Sequence, residues 1–148
     1  MEHFKTAREY SSTNDKDIIA TTLIGETGGN VEDAKHVYWV LKNRANKRGT
    51  TMIHEALRPK QFSMWNMYTV KKTKTLQDTI TFYKNHKNWY QRNWDDMYTL
   101  VANPPTIDPT QGATNYYAHK KVLPYWAKVK SWVETVTTNL HTYGKFIK

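Results

Sequence analysis

The sequence predicts a mainly α (α+β) fold: a helical body followed by a small β element from the C-terminal third. Three observations carry this. Between Asn14 and Pro104, apolar residues recur at helical spacing between recognisable caps and stops. The double proline Pro104-Pro105 closes that region. Beyond it come turn residues, Asp108-Pro109-Thr110-Gln111-Gly112, and then segments rich in Thr, β-branched and aromatic residues. The length of 148 residues suits one domain, 1–148, and 39% hydrophobic residues can fill a core.

Residues 1–13 are polar and mixed, and read as a short helix or a loosely attached arm. Asn14 is a candidate N-cap, with Asp15 and Asp17 in the first turn, where acids favour the helix dipole. Ile18, Ile19, Leu23 and Ile24 then make a helix of two to three turns, which Gly25, Gly28 and Gly29 end. Asn30 caps a second helix, whose apolar positions Val31, Ala34, Val37, Tyr38, Leu41 and Ala45 keep a helical rhythm. Lys35, Lys42 and Arg44 are expected to reach solvent, and the helix to stop near Lys47, with Gly49 past its end. Thr50 or Thr51 caps a short third helix through Leu57, stopped by Pro59.

Pro59 to Asn66 fits neither helical nor strand spacing and reads as an ordered loop displaying Phe62 and Trp65. Lys71, Lys72 and Lys74 form a basic patch. Thr75 caps the next helix, with Asp78 three residues on, over Leu76, Ile80 and Tyr83. A further helix uses Tyr90, Trp94, Met97, Tyr98 and Val101. Asp108 to His119 is a turn followed by an extended run, Pro124-Tyr125-Trp126 is an aromatic loop, and Val133 to Lys148 suggests short strands.

Several chemistries lack their residues. With no cysteine, disulfides and thiolate metal sites are excluded. No two of the six histidines stand at helical metal-binding spacing, and neither a G-x-S-x-G elbow nor a phosphate-binding glycine loop is present. No metal or other cofactor is therefore expected. No apolar run reaches the length of a membrane span, so stable membrane insertion is not expected. Met1 to Lys5 does not open a secretory signal, so synthesis in the cytoplasm without a leader is the expectation. A net charge of +9 points instead to a polyanion: nucleic acid, an anionic membrane or an anionic cell wall. Six Trp, ten Tyr and four Phe can pack a core, stack on bases or cover sugar rings.

Glu26 is the carboxylate whose position is hardest to explain as surface. It follows an apolar helical run and precedes glycines. Burial against such a face, and the negative end of its own helix, would raise its pKa and keep it protonated, as a glycosidic oxygen requires of a proton donor. On the residues alone, the reading ahead of this is that it binds the backbone amides of the glycine turn. Glycoside hydrolysis by water usually takes a second carboxylate. Glu32 and Asp33 are explained as first-turn helix residues, and Asp108 as a turn acid. A single acid suffices where the sugar carries its own nucleophile: with N-acetylmuramic acid, the 6-hydroxyl attacks and the product is a 1,6-anhydro sugar.

Four blocks resemble, in order, the cell wall hydrolases related to the spore cortex-lytic enzymes. They are an apolar helix ending in Gly25-Glu26 with a glycine turn, a helix closing in Asn43-Arg44, the Pro59-x-Gln61-Phe62-Ser63-x-Trp65 segment, and Asp108-Pro109-Thr110-x-Gly112-Ala113-Thr114-x-Tyr116, followed by Pro124 and Trp126. The resemblance covers about residues 15–148. It implies a two-lobed, goose-lysozyme-like fold and lytic transglycosylase action on peptidoglycan with Glu26 as the acid/base. It makes Phe62, Trp65, Tyr116 and Tyr117 candidate groove walls, or else packing around the cleft, with Gln61, Ser63 and Thr114 orienting them or touching acetamido groups.

Three departures stand out. Asn30 occupies the place where many relatives carry a second glutamate, Gly144-Lys145-Phe146 lies where a histidine is expected and His141 is not expected to substitute, and residues 66–100 do not align. The resulting expectation is a monomeric peptidoglycan-cleaving enzyme, a bacteriophage endolysin or virion lysin that meets the wall after synthesis in the host cytoplasm, with no nucleic-acid partner. A hydrolysing muramidase is the alternative, and a non-catalytic binder of glycan or nucleic acid a further one.

Overall fold

Helix α1 (Asp15–Thr27) is the axis about which the other helices are arranged. The computed structural model describes residues 15–85 and 89–147; the arm expected over 1–13 and the Asn14 cap lie outside the described residues. Every residue from Ile18 to Ile24 is buried, so α1 has no solvent face over these two turns. Its threonines fit this setting because each hydroxyl bonds back to its own helix: Thr21 to Asp17, Thr22 to Ile18 and Thr27 to Leu23. Leu23 is fully enclosed, and truncation of such a side chain typically costs about 2–5 kcal/mol. The helix ends in the glycines as expected: it carries Glu26 in its last turn, and Gly28 and Gly29, at φ 64° and 88°, turn the chain, while Gly25 lies inside the helix.

Helix α2 (Val31–Arg48) begins and ends as its sequence predicts. The Asn30 side chain accepts from the Asp33 amide at 2.9 Å, and Gly49 closes the helix in the left-handed region. Thr51 caps α3 (Met52–Ala56), accepting from the His54 amide. Below it Glu55 is fully buried, held by Arg48 at 2.6 Å, Arg58 at 3.1 Å and the Thr50 hydroxyl at 2.6 Å. A single turn over Ser63–Trp65 and the short α4 (Asn66–Thr69) lead to α5 (Leu76–Asn85). There Thr75 and Asp78 cap each other reciprocally, each amide donating to the other's side chain at 3.1 Å. Helix α6 (Trp89–Ala102) buries Trp94, Met97 and Leu100 and ends just before the double proline. Helices α2, α3, α5 and α6 all contact α1, and no helix among the described residues is long and apolar enough to cross a membrane.

The C-terminal third forms an antiparallel sheet in the order β1-β3-β2, from β1 (Asn115–Tyr117), β2 (Trp132–Thr137) and β3 (Thr142–Phe146). The fold is thus mainly α with a small β element, as the sequence predicts. Tyr116 pairs with Tyr143, so the two rings share one face of the sheet. On the other face Tyr117, Trp126, Trp132 and Phe146 form an aromatic cluster with ring centroids 5.0–6.4 Å apart. The Trp132 ring lies across Gly144, where a Cβ would stand 2.6 Å from it and 2.4 Å from the Val133 carbonyl oxygen.

The Asp108–Thr114 turn ties this sheet to α2. Asp108 accepts from the Thr110 amide at 2.7 Å, the Thr110 hydroxyl at 2.6 Å, the Gly112 amide at 2.9 Å and the Asn43 side chain at 2.9 Å. It is the turn acid the sequence implies, and these bonds outweigh its burial and hold its carboxyl below the ordinary range. Asn43 also donates to the Ala113 carbonyl, and Arg44 to that of Thr114 at 2.5 Å. Arg44 is therefore buried under the turn and does not reach solvent. The reason is that its partner, the Thr114 carbonyl, comes from a segment 70 residues away. At the irregularity between Glu134 and Val136 in β2, the Thr135 hydroxyl donates to the Thr110 carbonyl and clasps the same turn from the other side.

Candidate active site

Glu26 sits in the last turn of α1, where the apolar helix meets the sheet. Three neighbours place it there. Gly25, one residue before, keeps space beside Met64: a Cβ would stand 2.2 Å from the Met64 methyl. The Gly28 carbonyl accepts from Asn93 of α6, and the same Asn93 side chain fills the place a Cβ on Gly29 would take. The turn after Glu26 is thereby pinned to α6.

The Tyr116 hydroxyl donates to Glu26 Oε1. Burial raises the Glu26 pKa, while the Tyr116 hydrogen bond and the electrostatic influence of His141 and Arg44 pull it part of the way back; the net shift is upward. A carboxyl in this balance holds its proton to higher pH than an exposed glutamate and, once ionised, has a donor ready to stabilise the charge. Burial and the adjacent Glu26 push the Tyr116 hydroxyl well above its ordinary value, so it remains a donor.

A second layer orients Tyr116. Its ring packs edge-on to His141 at 5.0 Å and against Tyr143 at 5.3 Å. Those two rings converge on Asp33 Oδ1, the Tyr143 hydroxyl at 2.8 Å and His141 Nδ1 at 3.1 Å, and the Thr138 hydroxyl joins them at 2.5 Å. Burial disfavours the Asp33 anion, but the bonds from His141, Thr138 and Tyr143 prevail and hold its carboxyl below the usual range. An ionised carboxylate only accepts, so His141 Nδ1 carries the hydrogen of that contact. Asp33 is therefore more than a first-turn helix residue: it anchors the aromatic stack behind the acid.

A cleft of about 360 Å³ opens in front of Glu26, lined also by Gly28, Ala118, Lys120, Lys121, Leu140 and His141. Glu26 is the one carboxylate among these lining residues. Larger surface hollows lie elsewhere, over Met64 to Tyr83, over Val31 to Pro105 and over Asp17 to Thr99; in the last of these burial raises the Asp17 pKa while Lys84 lowers it, but among the described residues no hydroxyl is aligned on it as Tyr116 is on Glu26. Among the described residues no group of three His, Asp or Glu side chains is placed to hold a metal ion.

The other candidate residues divide. Gln61 and Ser63 are exposed on the loop before α4, and Gln61 accepts from Arg44 at 3.3 Å. Phe62 and Trp65 are not displayed: they are 2% and 1% exposed. Trp65 donates through its indole nitrogen to Thr22 of α1 at 2.9 Å, and Arg44 covers Phe62. Both are packing residues that carry the loop, because the hydrophobic gain of enclosing two large rings exceeds what an irregular loop would gain by exposing them. Thr114 is buried as well, its backbone engaged by Arg44 and Gly144 and its hydroxyl by Asn115. Tyr117 points to the sheet face opposite Tyr116 and joins Trp126 and Trp132, away from Glu26, as strand alternation requires.

The sequence weighs Asp33 only as a second carboxylate and His141 only as a histidine out of its expected place, and it does not single out Tyr143, Lys120 or Lys121. Its available signal was the matched alternation of Tyr116 and Tyr143, which becomes visible only once the strand register is known. Comparison of the chain with models of protein families, with curated proteins and with solved structures finds no match.

Proposed function

We propose that the chain cleaves the glycan strands of bacterial peptidoglycan between N-acetylmuramic acid and N-acetylglucosamine, as a lytic transglycosylase with Glu26 as its acid/base. The observation that carries this reading is a single carboxylate, raised by burial and bonded to Tyr116, alone of its kind on the wall of an open cleft. The other carboxylates considered are engaged elsewhere, Asp33 under the aromatic stack and Asp108 in its turn, while Glu32 is exposed on α2. One acid with no companion suits a substrate that supplies its own nucleophile. The four sequence blocks shared with the spore cortex-lytic type of cell wall hydrolase support the same reading, including a lysozyme-like arrangement of helices and sheet. A net charge of +9 suits an enzyme that must reach an anionic wall, as a phage endolysin or virion lysin does.

The steps balance with Glu26 alone. Protonated Glu26 gives its proton to the glycosidic oxygen, which leaves as O4 of N-acetylglucosamine as the bond to C1 of the muramic residue breaks. The Tyr116 hydrogen bond stabilises the carboxylate so formed. The muramic 6-hydroxyl oxygen then bonds to C1, its proton returns to Glu26, and a 1,6-anhydro end is released with no water consumed.

Glu26→Gln tests the assignment. It keeps the shape and an oxygen able to accept from Tyr116 but cannot donate an acidic proton. Turbidity clearing of purified walls should fall at least about a hundredfold with an unchanged circular dichroism spectrum; retained lysis would refute the role of Glu26. Mass spectrometry of the wild-type digest separates the chemistries: 1,6-anhydro ends mark a transglycosylase, reducing muramic ends a hydrolysing muramidase.

A further inference from the structure

The cleft carries two cations that the proton transfers at Glu26 do not use. Lys120 and Lys121 line the same space as Glu26, on the turn that follows β1. That turn is fixed by its own backbone, with the Lys121 and Val122 amides donating to the Ala118 carbonyl at 2.9 and 3.1 Å. Both lysines are exposed, and among the described residues neither is in an ion pair. The one acid of the cleft, Glu26, is held by the Tyr116 hydroxyl and, among the described residues, forms no ion pair with either lysine. Ala118 and Leu140 give the same wall apolar contact area. The arrangement fits a sugar ring that carries an anionic substituent.

Resting on the reading of the chain as a peptidoglycan-cleaving enzyme, we propose that Lys120 and Lys121 form an anion subsite beside Glu26 that selects sugars bearing a carboxylate. Peptidoglycan offers that group from two sources. The lactyl carboxylate of muramic acid is free where the stem peptide has been removed, and the stem peptide has carboxylates of its own where it remains.

The test compares initial rates, as kcat/KM from product release, on glycan strands stripped of their stems, on strands with stems intact, and on both after carbodiimide coupling to ammonia has turned carboxylates into neutral amides. At low salt the wild-type chain should cleave at least one carboxylate-bearing strand about fivefold faster than its amidated counterpart, the scale of two solvent-exposed charge contacts, and added salt should erase the difference. A preference on stripped strands assigns the lactyl group; a preference confined to stem-bearing strands assigns the peptide. The double substitution Lys120→Gln with Lys121→Gln should bring the ratio close to one, and each single substitution should lower it part of the way, so the reading does not depend on one variant folding. Equal wild-type rates on every charged and amidated pair would overturn the subsite while leaving the function standing, as would a double variant that keeps the wild-type ratio. No cleavage of any strand would overturn the function and the subsite together.

Discussion

Tyr116→Phe isolates one bond at the site. The ring keeps its contacts with His141 and Tyr143 at 5.0 and 5.3 Å, and only the hydroxyl that donates to Glu26 is lost. That bond favours the ionised form of Glu26, working against the burial that raises its pKa. A hydrogen bond to a charged group is worth about 1.5–3 kcal/mol, and one pH unit corresponds to about 1.4 kcal/mol. Without the hydroxyl the carboxylate is less stable, so Glu26 holds its proton to higher pH. The alkaline limb of the kcat/KM profile, on which the acid form is lost, should therefore move upward by about one to two pH units. On the low-pH plateau, where wild type and variant are both protonated, the weaker acid should be about ten- to a hundredfold slower. Initial clearing rates of purified walls between pH 4 and 9 at constant ionic strength measure both effects. A limb that stays in place, or moves to lower pH, in a folded variant would refute the claim that Tyr116 tunes the acid.

The remaining predictions concern the supports of the site. Asp33→Ala leaves Tyr143, His141 and Thr138 without their shared acceptor and should destabilise the chain by about 3–5 kcal/mol in urea melts. Because the folded Asp33 carboxyl lies below its unfolded value of 3.8, its stabilisation is present above that pH and is lost as pH falls through the folded value; the gap in Tm between wild type and variant should narrow below about pH 4. Asp108→Ala removes the acceptor for two amides, one hydroxyl and Asn43, and should lower Tm by about 10 °C in calorimetry. Gly144→Ala drives a methyl into backbone and the Trp132 ring and should cost at least about 1–3 kcal/mol, with a changed near-ultraviolet circular dichroism signal from the tryptophan cluster. A Gly144→Ala variant as stable as wild type would show that the sheet relaxes around the added group.

The parts of this fold that could be read from sequence are those decided within one turn of chain. The caps at Asn30, Thr51 and Thr75 and the stop at Gly49 depend on neighbours three or four residues away, and each is formed as its sequence suggests. Of the three glycines expected to end the first helix, Gly28 and Gly29 do so, whereas Gly25 stays helical and makes room for Met64 from another segment. Arg44 and Asp33 resemble ordinary helix-surface charges; their partners stand 70 and 105–110 residues along the chain. Phe62 and Trp65 lie in a stretch without periodicity, so nothing local separates a ring turned inward from one turned outward. Of the candidate site, Glu26 and Tyr116 were singled out through their motifs, but Tyr116 as a groove wall and not as the donor to Glu26. The Asp33 anchor and the two cleft lysines required the sheet register and the turn after β1.

The sheet order carries a consequence for how the site comes into being. Strand β3 is the middle strand, yet it is the last of the three along the chain, so β1 and β2 have no common neighbour until it arrives. As the polypeptide leaves the ribosome, the helices around α1 can pack while Tyr116 still lacks Tyr143 and His141 beside it. Glu26 would then emerge early as an ordinary solvated acid and acquire its proton-holding surroundings only when Thr142–Phe146 slots between the other two strands. The surroundings of Glu26 are thus completed by the strand that joins the sheet last of the three.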